Sequence, residues 1–259
     1  MKQPPFRYRL LFVGVNAVPG SQPLHAAARD AEAMSARFRG WGYDHRARHV
    51  LLLNQGATAA RVTDEIQSAR VAADLDLLLI YWAGHLHANG RKHILATHDD
   101  GVEGSANGIG LDVLTNAIGM AAGVAHRVLI LDTCNAAAAH PQLGALSRHA
   151  ADDECVAVLA AGGADALSRE DLRRGYFTGA LLEQMPRDTR GLPPHLDLLQ
   201  ALRTGAEQLN GRRQEQPFVG LYGTDTDLRL PVVSGKTAPL ESRARVARAP
   251  GKLLAAHPT

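Results

Sequence analysis

Two short stretches decide the fold of this chain: IYWAGH at residues 80–85 and VLILDTC at residues 128–134. Each is an apolar run that ends abruptly in a reactive side chain, His85 in the first stretch and Cys134 in the second. Apolar runs of this length with β-branched or aromatic residues are typical of buried strands. Chemistry in open α/β sheets lies outside the carboxyl ends of the strands. If the two runs are parallel neighbours, both reactive groups emerge at one edge, as a pair suited to nucleophilic catalysis.

Composition describes an ordinary globular protein. The chain has 259 residues, of which 46% are apolar and 21% charged, and it is long enough to bury a full hydrophobic core. The formal net charge is only +2 and no block of like charges occurs. The sequence therefore predicts no nucleic-acid partner.

The predicted location follows from the cysteines and from the lack of targeting signals. Two cysteines, Cys134 and Cys155, make no disulfide framework in a chain of this length, which is typical of the cytosol. No apolar run approaches the roughly 18 residues needed to cross a bilayer. Residues 1–6 lack the charged-then-apolar pattern of a signal peptide. We therefore predict a cytoplasmic protein with no membrane contact.

Strands and helices alternate along the chain. The predicted strands cover residues 8–15, 49–53, 75–83, 92–97, 127–132, 156–161, 217–222 and 228–232. The predicted helices cover residues 24–38, 58–72, 111–120, 177–185 and 195–209. The third strand is too apolar to face water on either side, which is typical of a parallel strand with both faces covered. The alternation predicts an α/β fold class with a mostly parallel sheet.

Two segments show no clear element. Residues 135–154 are small and polar with little periodicity, and such a segment is usually a functional or disordered loop. Residues 234–259 contain Pro, Gly, Ala and Arg but few core-forming side chains, so we predict a loosely packed tail.

The two candidate reactive residues have surroundings that suit catalysis. Cys134 follows its strand by two residues and opens a segment of Asn and Ala, which would make its thiol accessible. Cys155 lies in an apolar run and is interpreted as structural. His85 follows Ala83-Gly84, small residues that allow close approach of a substrate. A histidine titrates near neutrality and can accept a thiol proton or pair with a thiolate.

A zinc site is the alternative chemistry for the same region. Four histidines and one cysteine could act as ligands: His85, His87, His93, His98 and Cys134. No pair of them has C-x-x-C or H-E-x-x-H spacing. The sequence therefore favours nucleophilic catalysis over metal binding.

The chain resembles the caspase-like cysteine peptidases, the clan of caspases and metacaspases, and looks most like its bacterial members. The histidine block of that family, a hydrophobic strand ending in Gly-His, is similar to residues 80–85. Its cysteine block, which ends in Asp-x-Cys, is matched by residues 129–134. The histidine of caspases lies about 50 residues before the cysteine, as it does here. Weaker matches are residues 14–16, 24–31, 175–182 and 216–217. The resemblance covers residues 7–232.

The resemblance implies a three-layer α/β/α sandwich around a roughly six-stranded, mostly parallel sheet. It implies one caspase-like peptidase domain over residues 1–233. Within it, the loop 135–154 links a large and a small part, and residues 234–259 follow as the tail.

The resemblance also implies that Cys134 is the nucleophile and His85 the base. The oxyanion hole would consist of the backbone N–H groups of Cys134 and Leu86. The family usually has glycine after the histidine, whereas Leu86 supplies an N–H but resists a positive φ. Asn135 stands where metacaspases often have histidine. Two functions therefore stay open: a cysteine endopeptidase, and a catalytically inactive caspase-like adaptor.

In the family that the chain resembles, the charge of the pocket residues determines which side chain is preferred at the cleaved position. Metacaspases prefer Arg or Lys at the cleaved position (P1) through acidic pocket residues, whereas caspases prefer Asp through basic ones. Asp132 stands two residues before the nucleophile, and Asp165 lies in a Gly-Ala-Asp segment that resembles the one carrying the second acidic pocket residue. Two carboxylates could grip a guanidinium bidentately. We predict a protein or peptide substrate cleaved after Arg, with Lys second.

Activation is predicted by the same resemblance. Many family members are cut between the cysteine strand and the next strand, and Arg148 in that loop is the predicted processing site, for the enzyme itself or for an activating protease. Asp99, Asp100 and Glu103, or the acids at 152–154, could bind calcium. Clustered loop acids are more often solvated, so no metal or other cofactor is predicted. Bacterial relatives suggest a stress, cell-death or antiphage pathway.

Overall fold

A six-stranded sheet forms the centre of the molecule. The computed structural model describes residues 6–70, 75–89, 92–101, 108–121, 123–133, 136–149, 154–161, 175–187, 195–209, 218–223 and 228–231. The strands are β1 (Tyr8–Gly14), β2 (His49–Leu53), β3 (Leu77–Gly84), β4 (Leu86–Asn89), β5 (Lys92–Leu95), β6 (Ile109–Gly110), β7 (His126–Thr133), β8 (Cys155–Ala160), β9 (His195–Asp197), β10 (Phe218–Gly223) and β11 (Arg229–Pro231). The helices are α1 (Ala27–Gly40), α2 (Ala59–Arg70), α3 (Leu111–Gly119), α4 (His140–Gly144), α5 (Tyr176–Gln184) and α6 (Leu198–Glu207). Short 3₁₀ turns lie at Asn54–Gly56, Ala136–Ala139 and Ala145–His149.

The strand order of the sheet is β10-β8-β7-β3-β1-β2. Neighbouring strands run parallel from β8 to β2, and β10 pairs antiparallel with β8. The two central strands, β3 and β7, are buried along their whole length, as expected for parallel strands with both faces covered. The prediction of a roughly six-stranded, mostly parallel sheet is confirmed.

Helices cover both faces of the sheet, which gives three layers. On one face, α1, α5 and α6 pack on alternate strand residues such as Phe12 and Tyr81. On the other face, α2, α3 and α4 pack on the intervening residues, such as Leu11 and Trp82. The side-chain period of two along each strand divides the apolar residues between these two cores. The predicted α/β/α sandwich is therefore confirmed.

The structure adds elements that the sequence patterns did not predict. After β3 the chain turns into β4, which forms a three-stranded antiparallel sheet with β5 and β6. The helix predicted from residue 195 begins at Leu198, because residues 195–197 form β9, which pairs with β11. Asp197 ends the strand and caps the helix, since its carboxylate accepts a hydrogen bond from the Gln200 N–H at 2.9 Å.

The segment 136–149 is helical, so the prediction of a loop without regular structure is wrong there. It forms α4 with a 3₁₀ turn on either side. Ala136, Ala139, Leu143 and Leu146 are at most 1% exposed, and they recur with the helical spacing of three and four residues. Half of that apolar stripe is alanine, which makes the periodicity easy to miss.

The last described element is β11, and the predicted tail, residues 234–259, lies outside the described residues. Within the described ranges, no helix is both long enough and apolar enough to cross a membrane.

Candidate active site

The sheet brings the ends of the two decisive stretches to the same level. β3 and β7 are hydrogen-bonded parallel neighbours, and their register pairs Gly84 with Thr133. His85 and Cys134 are the next residues along the chain after this pair. Both therefore follow the carboxyl ends of adjacent parallel strands, where α/β proteins bind their ligands. Cys134 itself lies outside the described residues.

A backbone carbonyl holds the imidazole of His85. The Nε2 atom of His85 lies 2.9 Å from the carbonyl oxygen of Gln22, in the loop between β1 and α1. A carbonyl oxygen only accepts, so Nε2 carries the proton and donates it in this bond. Nδ1 then carries the lone pair that can accept a proton from a thiol. A backbone carbonyl has no sequence signal, which is why the sequence assigned no third partner to the dyad.

A second histidine borders the first. The rings of His85 and His87 are nearly parallel, with an interplanar angle of 10° and centroids 5.9 Å apart. Nε2 of His87 lies 3.9 Å from Oδ2 of Asp100, and the His87 side chain is 40% exposed. Solvent weakens an ion pair of that length at that exposure. His87 therefore limits the room around His85 more than it changes the local charge.

The described residues contain no group of three His, Cys, Asp or Glu side chains that could hold a metal ion. His93, one of the residues considered as a zinc ligand, is bonded through Nδ1 to Oε1 of Gln142 at 3.1 Å. Asp99 caps α2, because its Oδ1 accepts from the Ala59 N–H at 2.9 Å and from the Thr97 hydroxyl at 2.7 Å. Burial acts to raise the pKa of Asp99, but these hydrogen bonds outweigh it and lower the pKa. This carboxylate therefore serves the fold.

Leu86 replaces the expected glycine without backbone strain. It is the first residue of β4, pairs with Leu95 and is 7% exposed. In the described ranges, Asn54 is the one non-glycine residue with a positive φ. The Leu86 backbone is therefore outside the left-handed region that a leucine resists.

Asp132 lies near the end of β7 and is bound by the first turn of α5. It is 6% exposed, and its Oδ2 accepts hydrogen bonds from the Thr178 N–H at 3.3 Å and from the Thr178 hydroxyl at 2.5 Å. The Thr178 hydroxyl also lies 2.5 Å from the phenol oxygen of Tyr81. The predicted pocket residue Asp132 is thus buried and oriented by α5.

A second carboxylate, Asp30 on α1, lies beside Asp132. Asp30 is 2% exposed, and its Oδ2 accepts a hydrogen bond from the Gly175 N–H at 2.9 Å. A Cβ atom on Gly175 would lie 2.7 Å from Oδ2 of Asp30 and 3.2 Å from Oδ2 of Asp132. Asp30 is not among the site residues predicted from the sequence, and the predicted Asp165 lies outside the described residues. The available signal was a carboxylate on the apolar face of α1.

Two nearly buried carboxylates, those of Asp30 and Asp132, lie together in this corner of the molecule. Burying a charge is costly unless hydrogen bonds or an opposite charge compensate it. The N-terminus of α5 supplies part of the compensation, because the N–H groups of Gly175 and Thr178 donate to the two carboxylates and the helix dipole is positive at that end.

Arg148, the predicted processing site, lies in the 3₁₀ turn Ala145–His149. Its side chain is exposed, but the neighbouring Leu146 is 1% exposed and anchors the turn in the core. A peptidase that binds its substrate as an extended chain would need this turn to open first.

The six-stranded sheet has a histidine after one central strand and a cysteine after its parallel neighbour, and this arrangement is that of a caspase domain. The chain belongs to the caspase domain family, whose model matches residues 7–243. The resemblance drawn from the sequence motifs is therefore confirmed.

Solved structures share this fold at low sequence identity. Protein GSU0716 from Geobacter sulfurreducens is 18% identical with a TM-score of 0.63, over 88% of this chain and 100% of that chain. Caspase-1 from Spodoptera frugiperda is 16% identical with a TM-score of 0.56, over 83% of this chain and 86% of that chain. The Drosophila initiator caspase Dronc is 12% identical with a TM-score of 0.55, over 88% and 85%. Comparison with curated protein sequences gives no significant match.

Proposed function

We propose that this caspase-family chain is a cysteine endopeptidase in which Cys134 is the nucleophile and His85 the general base. The observation that carries the proposal is the β3–β7 register, which pairs the residues immediately before His85 and Cys134. The hydrogen bond from Nε2 of His85 to the Gln22 carbonyl supports it, because that bond selects the tautomer that a base needs.

The proposed reaction is acyl transfer through a thioester. His85 takes the proton of the Cys134 thiol, and the thiolate attacks the carbonyl carbon of the scissile bond. The N–H groups of Cys134 and Leu86 hold the oxyanion. The His85 imidazolium then protonates the leaving amine, and a water molecule deprotonated by His85 hydrolyses the thioester.

The proposed P1 preference is Arg, followed by Lys. It is supported by the nearly buried carboxylates of Asp132 and Asp30, which meet at Gly175. A planar guanidinium can bond to two carboxylates at once, whereas an ammonium acts as a compact point charge. An Asp side chain would be repelled by the same two groups. Asp165 stays a proposed acidic residue of this pocket.

Fluorogenic peptides that differ only at P1 test the proposal. We expect kcat/KM to rank Arg above Lys and both far above Asp, and we expect Cys134→Ala to remove the activity. Faster cleavage after Asp would contradict the proposed specificity while leaving the Cys134 chemistry intact.

A catalytically inactive adaptor is the second candidate, and Leu86 in place of the family's glycine is the feature that favours it. A thiol-reactive probe separates the two functions. An endopeptidase has a Cys134 that reacts quickly with the probe and loses that reactivity on His85→Ala, because the thiolate depends on the imidazole. An adaptor would react slowly, and to the same extent in both proteins.

Regulation by cleavage at Arg148, by the enzyme itself or by an upstream protease, is a further proposal from the family pattern. So are a cytoplasmic location and a stress, cell-death or antiphage pathway. Intact mass of active wild-type protein tests the processing. A fragment ending at Arg148 is expected, and a single uncut mass in fully active protein would remove this proposal.

A further inference from the structure

We propose that Thr178 is a positioning residue for the substrate's P1 side chain, because it fixes the carboxylate of Asp132 with the support of Tyr81. The inference rests on the proposed function, in which Asp132 contacts a P1 arginine. Three buried side chains from three elements are linked in a chain by hydrogen bonds: Tyr81 on β3, Thr178 on α5 and Asp132 on β7.

The direction of the hydrogen bonds in this chain is fixed by chemistry. An ionised carboxylate only accepts, so the Thr178 hydroxyl donates to Oδ2 of Asp132. That hydroxyl has a single proton, so in its contact with Tyr81 the phenol must be the donor. The order is therefore Tyr81 O–H to Thr178 Oγ1, and Thr178 O–H to Asp132 Oδ2. Each bond polarises the next, which strengthens the hold on the carboxylate.

Thr178 holds the Asp132 carboxylate with two hydrogen-bond donors, and Thr178 itself is fixed in a helix. Both its N–H and its hydroxyl bond to Oδ2, and it lies in the first turn of α5, where the helix dipole favours a negative charge. Thr178 and Tyr81 are both 0% exposed, so water does not compete for these bonds. With Oδ2 held, rotation of the Asp132 carboxyl group is blocked and the location of Oδ1 is set.

The chain also ties the pocket to the catalytic strand ends. Tyr81 lies on β3, four residues before His85, and Asp132 lies on β7, two residues before Cys134. One network of hydrogen bonds thus connects the carboxylate proposed to bind substrate with the two strands that precede the proposed dyad. An error in the carboxylate position displaces the P1 side chain, and with it the scissile bond, relative to Cys134.

A positioning role and a purely structural role predict different kinetics. A structural role would lower the active fraction for all substrates equally. A positioning role should affect Arg more than Lys at P1, because bidentate recognition of a guanidinium depends on carboxylate orientation and an ammonium tolerates more variation. The ratio of kcat/KM for Arg to that for Lys is therefore the decisive readout.

The experiment compares Thr178→Val, which keeps the shape and removes the hydroxyl, with Thr178→Ser, which keeps the hydroxyl. Thr115→Val is the matched control, since Thr115 is also a buried helix threonine, bonded to the Asp112 carbonyl at 3.2 Å on α3. For Thr178→Val we expect KM for the Arg substrate to rise about tenfold and the Arg-to-Lys ratio to fall, as for loss of a bond to a charged group. Thr178→Ser and Thr115→Val should keep the wild-type ratio.

If Thr178→Val does not fold, Tyr81→Phe decides, because it removes only the donor to Thr178. We expect a smaller change of the same kind, with a lower Arg-to-Lys ratio. An unchanged ratio in the folded variants would overturn the positioning role while leaving the proposed endopeptidase in place. A wild-type enzyme without preference for basic P1 residues would overturn both.

Discussion

Two regions of the molecule differ in how far apart their residues lie in the sequence. One is the pair of strand ends of β3 and β7, and the other is the N-terminus of α5. Each strand end is formed by adjacent residues: an apolar run is followed directly by His85 in one case and closely by Cys134 in the other. The corner at α5 is assembled from Asp30, Asp132 and the turn at Gly175, which are far apart in the chain. The first region supplies the proposed chemistry and the second the proposed choice of substrate. Substitutions in the two regions should therefore have separable effects.

The largest effect is expected at the strand ends. His85→Ala should lower kcat/KM for an Arg substrate about a thousandfold, the usual contribution of a general base. The loss should be equal for Arg and Lys substrates, because the P1 pocket is unchanged. His93→Ala is the control, since His93 bonds to Gln142 and takes no part in the dyad. Steady-state kinetics on both substrates check this, and a loss confined to one substrate would contradict the separation.

The next effect is expected at the acidic corner. Asp30→Asn or Asp132→Asn should lower kcat/KM for Arg substrates about a hundredfold, because each change removes one of the two charges proposed to bind the guanidinium. Labelling of the Cys134 thiol by a small uncharged probe should stay near the wild-type rate. Asp112→Asn, an exposed acid on α3, is the control for loss of one negative charge. Equal loss of probe labelling would mean that these acids support the fold alone.

A substitution of Gly175 by alanine tests how closely the Asp30 and Asp132 carboxylates pack around this residue. Its φ of −67° is open to any residue, so only space restricts the position. A Cβ there would lie 2.7 Å from Oδ2 of Asp30, and the overlap should cost about 1–3 kcal/mol of stability. Gly144→Ala, where no atom lies within 4 Å of the added Cβ, should be nearly neutral. Denaturant unfolding of both variants measures the difference, and similar stabilities would show that the carboxylates move apart easily.

The smallest effect is expected at His49, which should change the pH dependence of stability but not that of activity. Burial lowers the pKa of His49, and its hydrogen bond to the Tyr43 carbonyl offsets only part of this. The unfolded chain therefore binds this proton at higher pH than the native protein does. The contribution of His49 to stability is full above the ordinary histidine pKa and is lost as the pH falls through that value toward the lower folded pKa.

We accordingly expect the free energy of unfolding to fall between about pH 7 and pH 5. His49→Gln should flatten this dependence without changing the pH profile of kcat. Urea unfolding at a series of pH values checks it. A slope unchanged in the variant would assign the acid sensitivity to other groups.

The difference between the two regions also explains what could be predicted from sequence. A buried strand and the residue that follows it form a recognisable pattern of adjacent residues. The six-stranded sheet and the candidates His85 and Cys134 could therefore be predicted from the sequence. Asp132 could be proposed as a pocket residue because it shares a stretch with Cys134. Asp30 was not predicted, because its contact with the Gly175 N–H depends on the packing of α1 against α5.

Contacts over long sequence distances explain the remaining omissions. The Gln22 carbonyl and the Tyr81–Thr178 bond exist only once β3, α5 and the loop after β1 are assembled. The helical segment 136–149 was predicted as a loop because its apolar stripe is half alanine. Local patterns therefore predict the strands that precede the proposed dyad, whereas the contacts of the acidic corner form only when distant parts of the chain pack together.

The central claim is that an arginine-selective pocket serves a reactive Cys134. The most direct test is a pair of peptide ketone affinity labels that alkylate active-site thiolates and differ only in Arg or Asp at P1. Intact mass and peptide mapping then locate the adduct. We expect the Arg label to add once, at Cys134, and to fail on His85→Ala, while the Asp label reacts far more slowly. Faster reaction of the Asp label, or an adduct at Cys155, would contradict the account.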